Sequence, residues 1–340
     1  MPPAEHSSVP QSAALPNRRA GGPVGRFAPS PTGPLHTGSL TAAVGSWLAA
    51  RSRGGLWKLR IDDLDTPRVI AGTADDIMET LESFGLTWDG AVSWQSAAIS
   101  DYQDAFGQLL SSGDVYSCGC SRREIARTAS APHQDDDCLT YAGTCRSGMK
   151  DGAVIRSWRI RVTDDPIRFH DLRLGEVCQN LALSGGDFAV RRGDGVFSYQ
   201  LAVVVDDHLA GVDQVVRGVD LLPSTGRQIR LQELLGIPRP AYCHLPLVTA
   251  PGGQKLSKRD NLVSGRLSGD ERYRRKLLAA VLTFLGMCPP AGIETGTCEE
   301  ILKWGIAHFE ISAMPPANGE LPLPNRADTS PETETGTARN

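Results

Sequence analysis

The stretch Arg26-Phe-Ala-Pro-Ser-Pro-Thr-Gly-Pro-Leu-His-Thr-Gly-Ser39 decides how this chain folds, because it joins a predicted strand to a predicted helix. The apolar run Val24 to Ala28 predicts the strand. Proline and glycine then dominate a stiff loop that has no regular structure. From Ser39 onward, apolar side chains recur at the spacing of a helix, namely Leu40, Val44, Trp47 and Leu48.

The end of this stretch has the features of a phosphate-binding site. The first backbone N–H groups of a helix lack partners within the helix, and the helix macrodipole adds positive charge there. Gly38 has no Cβ, so a nucleotide can approach closely, and His36 can donate a hydrogen bond to a phosphate oxygen. Taken alone, His36 is as well explained as an ordinary loop histidine.

A second basic segment, Lys255-Leu-Ser-Lys-Arg259, follows the turn Pro251 to Gln254. The ammonium groups of Lys255 and Lys258 can close over a pyrophosphate leaving group, where one well-placed donor contributes roughly 3–4 kcal/mol. A lone cluster of this kind is usually a solvated turn. Together with His36 to Ser39, however, it predicts a chain that binds ATP and activates a carboxylate by adenylation.

Alternating strand and helix signals predict an α/β fold with a parallel, doubly wound core. After a helix at 39–53 and a strand at 56–61, two amphipathic helices are predicted by the apolar sets Ile77, Leu81 and Phe84 and then Tyr102, Phe106, Leu109 and Leu110. The continuous apolar run 201–205 predicts a strand that is buried on both faces. We expect three more elements, a helix at 224–236, a strand at 243–248 and a core-packed helix at 277–285.

The organisation of the chain is predicted from composition and from these elements. The last residues are rich in Pro, Glu and Thr, which favours disorder. We expect a flexible arm at 1–22, the first half of the core at 23–115, an insertion at 116–195, the second half of the core at 196–250, the basic loop with C-terminal helices at 251–318 and a disordered tail at 319–340.

The 340 residues carry a formal net charge of −4, so the chain has no global basic field. Any contact with RNA must use local patches, and the candidates are Arg122-Arg123, Arg156 to Arg161, Arg191-Arg192 and Arg272 to Lys276. A solubilising surface is the alternative for each patch. No apolar run reaches the ~18 residues of a membrane span, and no apolar segment of an export signal follows Arg18-Arg19. We therefore predict a cytoplasmic protein.

Eight cysteines are too sparse for a secreted disulfide scaffold. Cys118, Cys120 and Cys145 could supply part of a zinc site, which takes four ligands, mostly Cys and His. The single residue between the first two is fewer than usual, so spacing alone leaves scattered free thiols open. The other candidates nearby are His133 and Cys138. We expect four more cysteines to act as small buried hydrophobic residues, namely Cys178, Cys243, Cys288 and Cys298.

Several segments carry a specific resemblance. The chain resembles the glutamyl branch of the class I aminoacyl-tRNA synthetases in HTGS (36–39), KLSKR (255–259), Leu59-Arg-Ile-Asp-Asp-Leu-Asp65, Gly85-Leu-Thr-Trp-Asp89, Asp206-Asp-His-Leu-Ala-Gly211, Val216-Arg-Gly-Val-Asp220 and Ser224-Thr225. Over roughly residues 23–315 it is similar to the short glutamyl-queuosine tRNA(Asp) synthetases. That similarity rests on Ser39, Tyr199-Gln-Leu-Ala-Val-Val-Val-Asp-Asp207, Cys118-Gly-Cys120 and Tyr141-Ala-Gly-Thr-Cys-Arg146.

The resemblance implies a ligase with a Rossmann-like parallel sheet, an insertion that holds one structural zinc ion and a short C-terminal helical region. It implies ATP with Mg²⁺, L-glutamate and tRNA(Asp) carrying queuosine as partners, and we expect a monomer. Because the segment after Lys258 is short, we expect no anticodon-binding domain. Glutamate would be activated without tRNA and then transferred to queuosine in the anticodon loop.

The resemblance also implies roles for individual residues. Its catalytic set is His36, Gly38, Lys255 and Lys258, and its ATP-binding set is His36, Gly38, Ser39 and Lys258. Glutamate would be bound by Arg26, Ala28, Ser30, Asp62, Tyr199 and Arg217. The family usually has Glu where this chain has Asp62, so we expect a longer or water-bridged contact with the ammonium group. Tyr141 would complete the zinc site, with Cys138 or His133 as alternatives.

Three other functions remain open from the sequence. The first is a truncated glutamyl-tRNA synthetase that charges a tRNA 3′ end, and the second is a small-molecule nucleotidyltransferase or carboxylate–amine ligase. The third is an RNA-binding relative without catalytic activity. Intact His36, Gly38, Lys255 and Lys258 argue against the third. The sequence assigns no general base to the transfer step.

Overall fold

The computed structural model describes residues 21–128, 140–249, 267 and 270–322. The strands of this part of the chain are β1 (Val24–Phe27), β2 (Leu56–Ile61), β3 (Ser93–Trp94), β4 (Val115–Cys118), β5 (Ser157–Ile160), β6 (Ile167–Asp171), β7 (Gly175–Gln179), β8 (Ala189–Arg192), β9 (Gln214–Gly218), β10 (Ala241–Leu245), β11 (Val248–Thr249) and β12 (Gly319–Glu320). Its helices are α1 (Thr37–Arg51), α2 (Thr73–Ser83), α3 (Ile99–Ser111), α4 (Arg122–Thr128), α5 (Leu181–Ser184), α6 (Tyr199–Leu209), α7 (Leu222–Leu235), α8 (Glu271–Phe284) and α9 (Cys298–His308).

The core sheet is parallel, as the sequence predicts. Strands β1, β2 and β3 pair in parallel, and β9, β10 and β6 form a second parallel set. The two sets lie side by side, because the Asp213 N–H donates to the Val24 carbonyl at 3.1 Å. Most of the apolar core is buried where α1 packs between this sheet and the C-terminal helices α8 and α9.

The range 116–195 contributes to two different sheets. Strands β4, β5 and β8 form an antiparallel sheet of their own. Strands β6 and β7 form a hairpin, and β6 pairs in parallel with β10 of the core. This hairpin therefore extends the core sheet from within the segment predicted as an insertion. The segment boundaries themselves stay predictions.

The strand predicted at 201–205 is wrong, because these residues lie in helix α6. The Ser198 hydroxyl accepts the Leu201 N–H at 3.4 Å and caps the helix. Residues 201–207 are all buried, so the helix shows no polar face in its sequence. A short apolar run that is buried all round cannot be told from a buried strand by periodicity.

Smaller differences have local causes. Leu110 points outward from α3 although Tyr102, Phe106 and Leu109 are buried as predicted. Among the four cysteines expected in the interior, Cys243 and Cys298 are buried, whereas Cys178 and Cys288 are exposed. The strand predicted at 243–248 is divided into β10 and β11. Pro246 lies at this break and cannot donate a ladder hydrogen bond.

The C-terminal part of the described chain is anchored to the core at several points. Strand β12 pairs in parallel with β11, and the Arg173 guanidinium donates to the carbonyls of Pro315 and Pro316. Among the described residues no helix has the length and apolar character to cross a membrane. Lys255, Lys258, His133 and Cys138 lie outside the described residues, as do most of the predicted arm and tail.

Candidate active site and metal centre

A cavity of about 840 Å³ opens at the carboxyl ends of β1, β9 and β10. This is the edge of an open parallel sheet where ligands usually bind. The cavity brings together eight of the residues predicted from the sequence: Arg26, Ala28, Ser30, His36, Gly38, Ser39, Tyr199 and Arg217. Of the predicted site residues that the structure describes outside the metal cluster, Asp62 alone does not line the cavity.

His36 caps the N-terminus of α1. Its Nδ1 accepts the Ser39 N–H at 3.3 Å, and its Nε2 lies 3.0 Å from the Ser39 hydroxyl. Because Nδ1 accepts, a neutral ring carries its proton on Nε2 and donates it to Ser39. The N–H groups at the start of α1 and this Nε2–H make this wall of the cavity suitable for an anion.

Gly38 has a second reason to be glycine. A Cβ at this position would lie 3.1 Å from Cε1 and 3.2 Å from Nδ1 of His36. These separations are slightly shorter than ordinary contacts, so a side chain here would require the exposed imidazole ring to shift. Gly38 therefore leaves room for His36 in its present position as well as for a nucleotide.

Arg26 is buried against a carboxylate that the sequence analysis did not assign to the site. Its Nε donates to both oxygens of Asp207 at 3.2 Å, and Asp207 also accepts from Nη1 of Arg60 at 2.6 Å. Burial alone would raise the pKa of Asp207, but the two guanidinium charges outweigh it and lower this pKa. The positive charge of Arg26 is therefore balanced by an ionised partner.

Asp62 lies behind the cavity in the same buried cluster. Its Oδ1 accepts from Nε of Arg60 at 2.7 Å, and its N–H donates to the carbonyl of Pro29, which lines the cavity. Burial raises the pKa of Asp62 to about 6, because Arg60 offsets only part of the desolvation. The cluster places two guanidinium groups among three carboxyl groups, since Asp206 lies 3.5 Å from Arg60 as well.

Arg217 also lines the cavity, and its hydrogen-bond partners are neutral. Its Nε lies 3.3 Å from Nε2 of His244, and its Nη2 donates to the Thr225 hydroxyl at 2.8 Å. Within the described residues, its Nη1 has no hydrogen-bond partner. Arg217 lines the cavity, and this buried nitrogen is the part of its guanidinium that the described residues leave without a partner. The sequence motifs do not predict either contact, because His244 lies on another strand and Thr225 lies on the helix that follows β9.

A cluster of potential metal ligands lies between β4 and the segment after 140. The sulfur atoms of Cys118, Cys120 and Cys145 lie within 4.8 Å of one another. The Tyr141 hydroxyl oxygen lies 3.4 Å from Sγ of Cys118 and 3.9 Å from Sγ of Cys120. Ligands about 2.0–2.3 Å from a tetrahedral zinc ion would be separated by about 3.5–3.8 Å. The four atoms therefore fit one such ion.

The thiols of this cluster differ in acidity. Burial opposes ionisation of Cys118, but hydrogen bonds from Tyr141 and the Cys120 backbone, with the nearby Arg159, lower its pKa to about 7. Burial and the Cys145 sulfur raise the pKa of Cys120 to about 11. The Arg159 guanidinium also lies 4.0 Å from the centre of the Tyr141 ring. Burial and the hydrogen bond with Cys118 nevertheless raise the pKa of Tyr141 well above its usual value, so a metal ion would have to displace the hydroxyl proton before Tyr141 could bind it.

Comparison with known proteins agrees with this geometry. Residues 24–314 match the family described as tRNA synthetases class I (E and Q), catalytic domain. A "Glutamyl-Q tRNA(Asp) synthetase" of Geobacter sulfurreducens is 53% identical over 295 residues, which cover 86% of this chain and 94% of the relative. The protein of the same name from Aromatoleum aromaticum is 50% identical over 292 residues, covering 86% and 90%.

A solved structure is similar over most of the chain. The crystal structure of a glutamate tRNA ligase from Elizabethkingia meningosepticum in complex with its amino acid matches with a TM-score of 0.70 at 26% identity. The match covers 88% of this chain and 66% of that one. By its fold, its cavity and these relatives, the chain belongs to the class I tRNA synthetases (E and Q) and, among them, to the glutamyl-Q tRNA(Asp) synthetase family.

Proposed function

We propose that the chain activates glutamate with ATP and transfers the glutamyl group to queuosine in the anticodon loop of tRNA(Asp). The observation that carries this proposal is one cavity lined by a helix N-terminus with His36 on one side and by Arg26 and Arg217 on the other. A nucleotide and a dicarboxylic amino acid fit these two walls. The names of the relatives supply the acceptor. We also propose that the protein acts as a monomer in the cytoplasm.

Glutamate recognition is assigned to the side of the cavity that carries Arg26 and Arg217. A guanidinium binds a carboxylate through two parallel hydrogen bonds, which fixes both charge and orientation. Tyr199, Ala28 and Ser30 complete the surface around the amino acid. Asp62 is assigned to the ammonium group through a bridging water, because Arg60 occupies one of its oxygens and the side chain lies behind the cavity.

Activation needs no nucleophile from the protein. An oxygen of the glutamate α-carboxylate attacks the α-phosphorus of ATP, and the bond to the departing pyrophosphate breaks. When ATP is bound, the N–H groups at the start of α1 and the Nε2–H of His36, released from the Ser39 hydroxyl, are assigned to the phosphate oxygens. Mg²⁺ that enters with ATP neutralises part of the phosphate charge. Lys255 and Lys258 are assigned to the pyrophosphate from the sequence motif alone.

Transfer releases AMP. A hydroxyl of queuosine attacks the carbonyl carbon of the glutamyl-adenylate, an ester forms, and the bond between the carbonyl carbon and the phosphate oxygen breaks. Single-stranded loops with splayed bases are the usual targets of sequence-specific RNA recognition. The cavity is open to solvent beside the exposed Tyr199, so a base of an anticodon loop can reach it.

The test follows glutamate to its destination. Pyrophosphate exchange without tRNA should depend on glutamate and should be much weaker with glutamine or aspartate. Labelled glutamate should then appear on queuosine-containing tRNA(Asp), survive removal of the 3′-terminal adenosine and be absent from unmodified tRNA(Asp). Transfer that needs the 3′ adenosine and ignores queuosine would favour a glutamate tRNA ligase, the activity named for the similar solved structure.

A structural zinc ion is proposed at Cys118, Cys120, Tyr141 and Cys145, where it would hold β4 to the segment after 140. We expect about one zinc per chain in protein purified without chelator, and loss of zinc in Cys145→Ser. Cys178→Ser is the matched control, because Cys178 is an exposed cysteine outside the cluster. Tyr141→Phe that keeps full zinc, together with Cys138→Ser that loses it, would assign the fourth ligand to Cys138.

A further inference from the structure

A row of buried polar side chains runs behind Arg217, on the side away from the cavity. Its members are His244 on β10, Asp171 at the end of β6 and Thr225 on α7, and none of them is exposed to solvent. Strand register brings the first of them into place, because His244 pairs with Arg217 across β10 and β9. Such deeply buried polar groups are costly unless each finds a partner.

The hydrogen bonds of Asp171 determine the proton position on His244. Oδ1 of Asp171 accepts the N–H groups of Arg173 and Leu174 at 3.1 and 3.0 Å, and Oδ2 lies 2.6 Å from Nδ1 of His244. An ionised carboxylate only accepts hydrogen bonds, so Nδ1 of His244 carries the proton. Burial lowers the pKa of His244, which keeps the ring neutral and leaves Nε2 as an acceptor.

That acceptor faces Arg217. Nε2 of His244 accepts from Nε of Arg217 at 3.3 Å and lies 3.0 Å from the Thr225 hydroxyl, which in turn accepts from Nη2 of Arg217 at 2.8 Å. The Arg217 guanidinium also lies 5.6 Å from the centre of the Tyr242 ring. Two nitrogens of Arg217 are therefore held by the protein, and the third, the buried Nη1, has no hydrogen-bond partner among the described residues.

We propose that Asp171, His244 and Thr225 form a positioning relay that aims the Arg217 guanidinium at the carboxylate of glutamate. The relay rests on the proposed function of Arg217. Because His244 and Thr225 are neutral, they fix the geometry of Arg217 without cancelling its charge. A relay of this kind affects the choice between a carboxylate and an amide, since only correct alignment gives two charge-assisted hydrogen bonds.

The decisive pair of variants is His244→Leu and His244→Gln. Leucine fills similar space but accepts nothing, whereas the glutamine carbonyl can replace Nε2 as an acceptor. In glutamate-dependent pyrophosphate exchange we expect His244→Leu to raise KM for glutamate by about 10- to 100-fold, the range for losing a hydrogen bond to a charged group. KM for ATP should change less than about twofold, and the preference for glutamate over glutamine should narrow. His244→Gln should restore most of the affinity for glutamate and most of the preference for glutamate over glutamine.

Two further variants keep the test decisive. Thr225→Val removes the other partner of Arg217 with little change in volume. It should raise KM for glutamate by about 3- to 10-fold, and it replaces His244→Leu as the test if that protein does not fold. His308→Leu is the matched control, because His308 is an exposed histidine on α9 and should leave every constant unchanged. Folding is checked by thermal unfolding.

The outcomes separate the relay from the proposed function. Folded His244→Leu and Thr225→Val proteins with normal KM for glutamate and normal preference over glutamine would overturn the relay, while the function would stand. Equal losses in KM for ATP and for glutamate would also overturn it, since they indicate a general structural role. Wild-type protein without glutamate-dependent exchange would instead overturn the function of the cavity.

Discussion

The two arginines that face the cavity are held in opposite ways. Arg26 donates to the ionised Asp207, within a cluster of three carboxyl groups and the second guanidinium of Arg60. Arg217 has only neutral partners, His244 and Thr225. The charge of Arg26 is therefore used largely within the protein, whereas the charge of Arg217 is left for a substrate. We propose that the first arginine stabilises the wall of the cavity and that the second supplies most of its attraction for a carboxylate.

The largest expected effect separates the two arginines directly. Arg217→Ala should lower kcat/KM for glutamate by about 100- to 1000-fold, because a desolvated carboxylate would lose its charged partner. Its free energy of unfolding should change little, since His244 and Thr225 still lie 3.0 Å apart and can bond to each other. Pyrophosphate exchange and urea unfolding measure the two quantities.

Arg26→Ala should lower the stability of the protein more, and its affinity for glutamate less, than Arg217→Ala does. Removing one partner of a buried ion pair costs about 3–5 kcal/mol of stability, because it leaves the other charge uncompensated. The loss of glutamate affinity should be smaller than in Arg217→Ala. Equal losses of stability in the two variants would contradict the distinction between a structural and a substrate-facing arginine.

The two sides of the cavity differ in how well they can be predicted from the sequence, because their residues are spaced differently along the chain. His36, Gly38 and Ser39 lie within one short segment of a strand–loop–helix unit, so the motif and its chemistry could be inferred together. Arg217 has one partner on α7, Thr225, and a second on β10, His244, which reaches it only through strand register. Periodicity gives no information on register between distant strands, so these contacts could not be predicted.

Two other differences have the same origin. The helix α6 was interpreted as a strand because burial on all sides removes its polar face. That helix carries Asp206 and Asp207, so the error also hid the carboxylates that hold Arg26 and Arg60. The motif predicts that Asp62 contacts the substrate, but its carboxylate is hydrogen-bonded to Arg60 and does not line the cavity. Local sequence thus predicted identities better than orientations.

A smaller effect is expected from a substitution at the N-terminus of α1, where the phosphates are proposed to bind. Gly38→Ala would place a methyl group 3.1 Å from the His36 ring and displace it. We expect the rate of adenylation to fall by about tenfold, while KM for glutamate stays within about twofold, because Arg26 and Arg217 are untouched.

The control for this substitution is Gly107→Ala. Gly107 lies in α3, and a Cβ there would meet nothing within 4 Å. Alanine in a helix is about 1 kcal/mol more favourable than glycine, so this variant should be active and slightly more stable. A Gly38→Ala protein with a normal adenylation rate would show that the position of His36 does not limit the reaction.

The smallest expected effect concerns the charge balance around Arg26. The pKa of Asp62 is raised from 3.8 to about 6 because burial outweighs the attraction of Arg60. Between these values the folded protein binds more protons at this site than the unfolded chain, so its free energy of unfolding falls as the pH rises through this window.

Asp62→Asn keeps an oxygen that can accept from Arg60, removes this dependence and leaves two carboxyl groups beside two guanidinium groups. As the pH rises from about 4 to about 6, the free energy of unfolding of the variant should therefore increase by on the order of 2 kcal/mol relative to that of the wild type. Above about pH 6 the difference should stay constant. Urea unfolding across this range measures the difference, and parallel curves for the two proteins would mean that the carboxyl groups around Arg26 are already in balance.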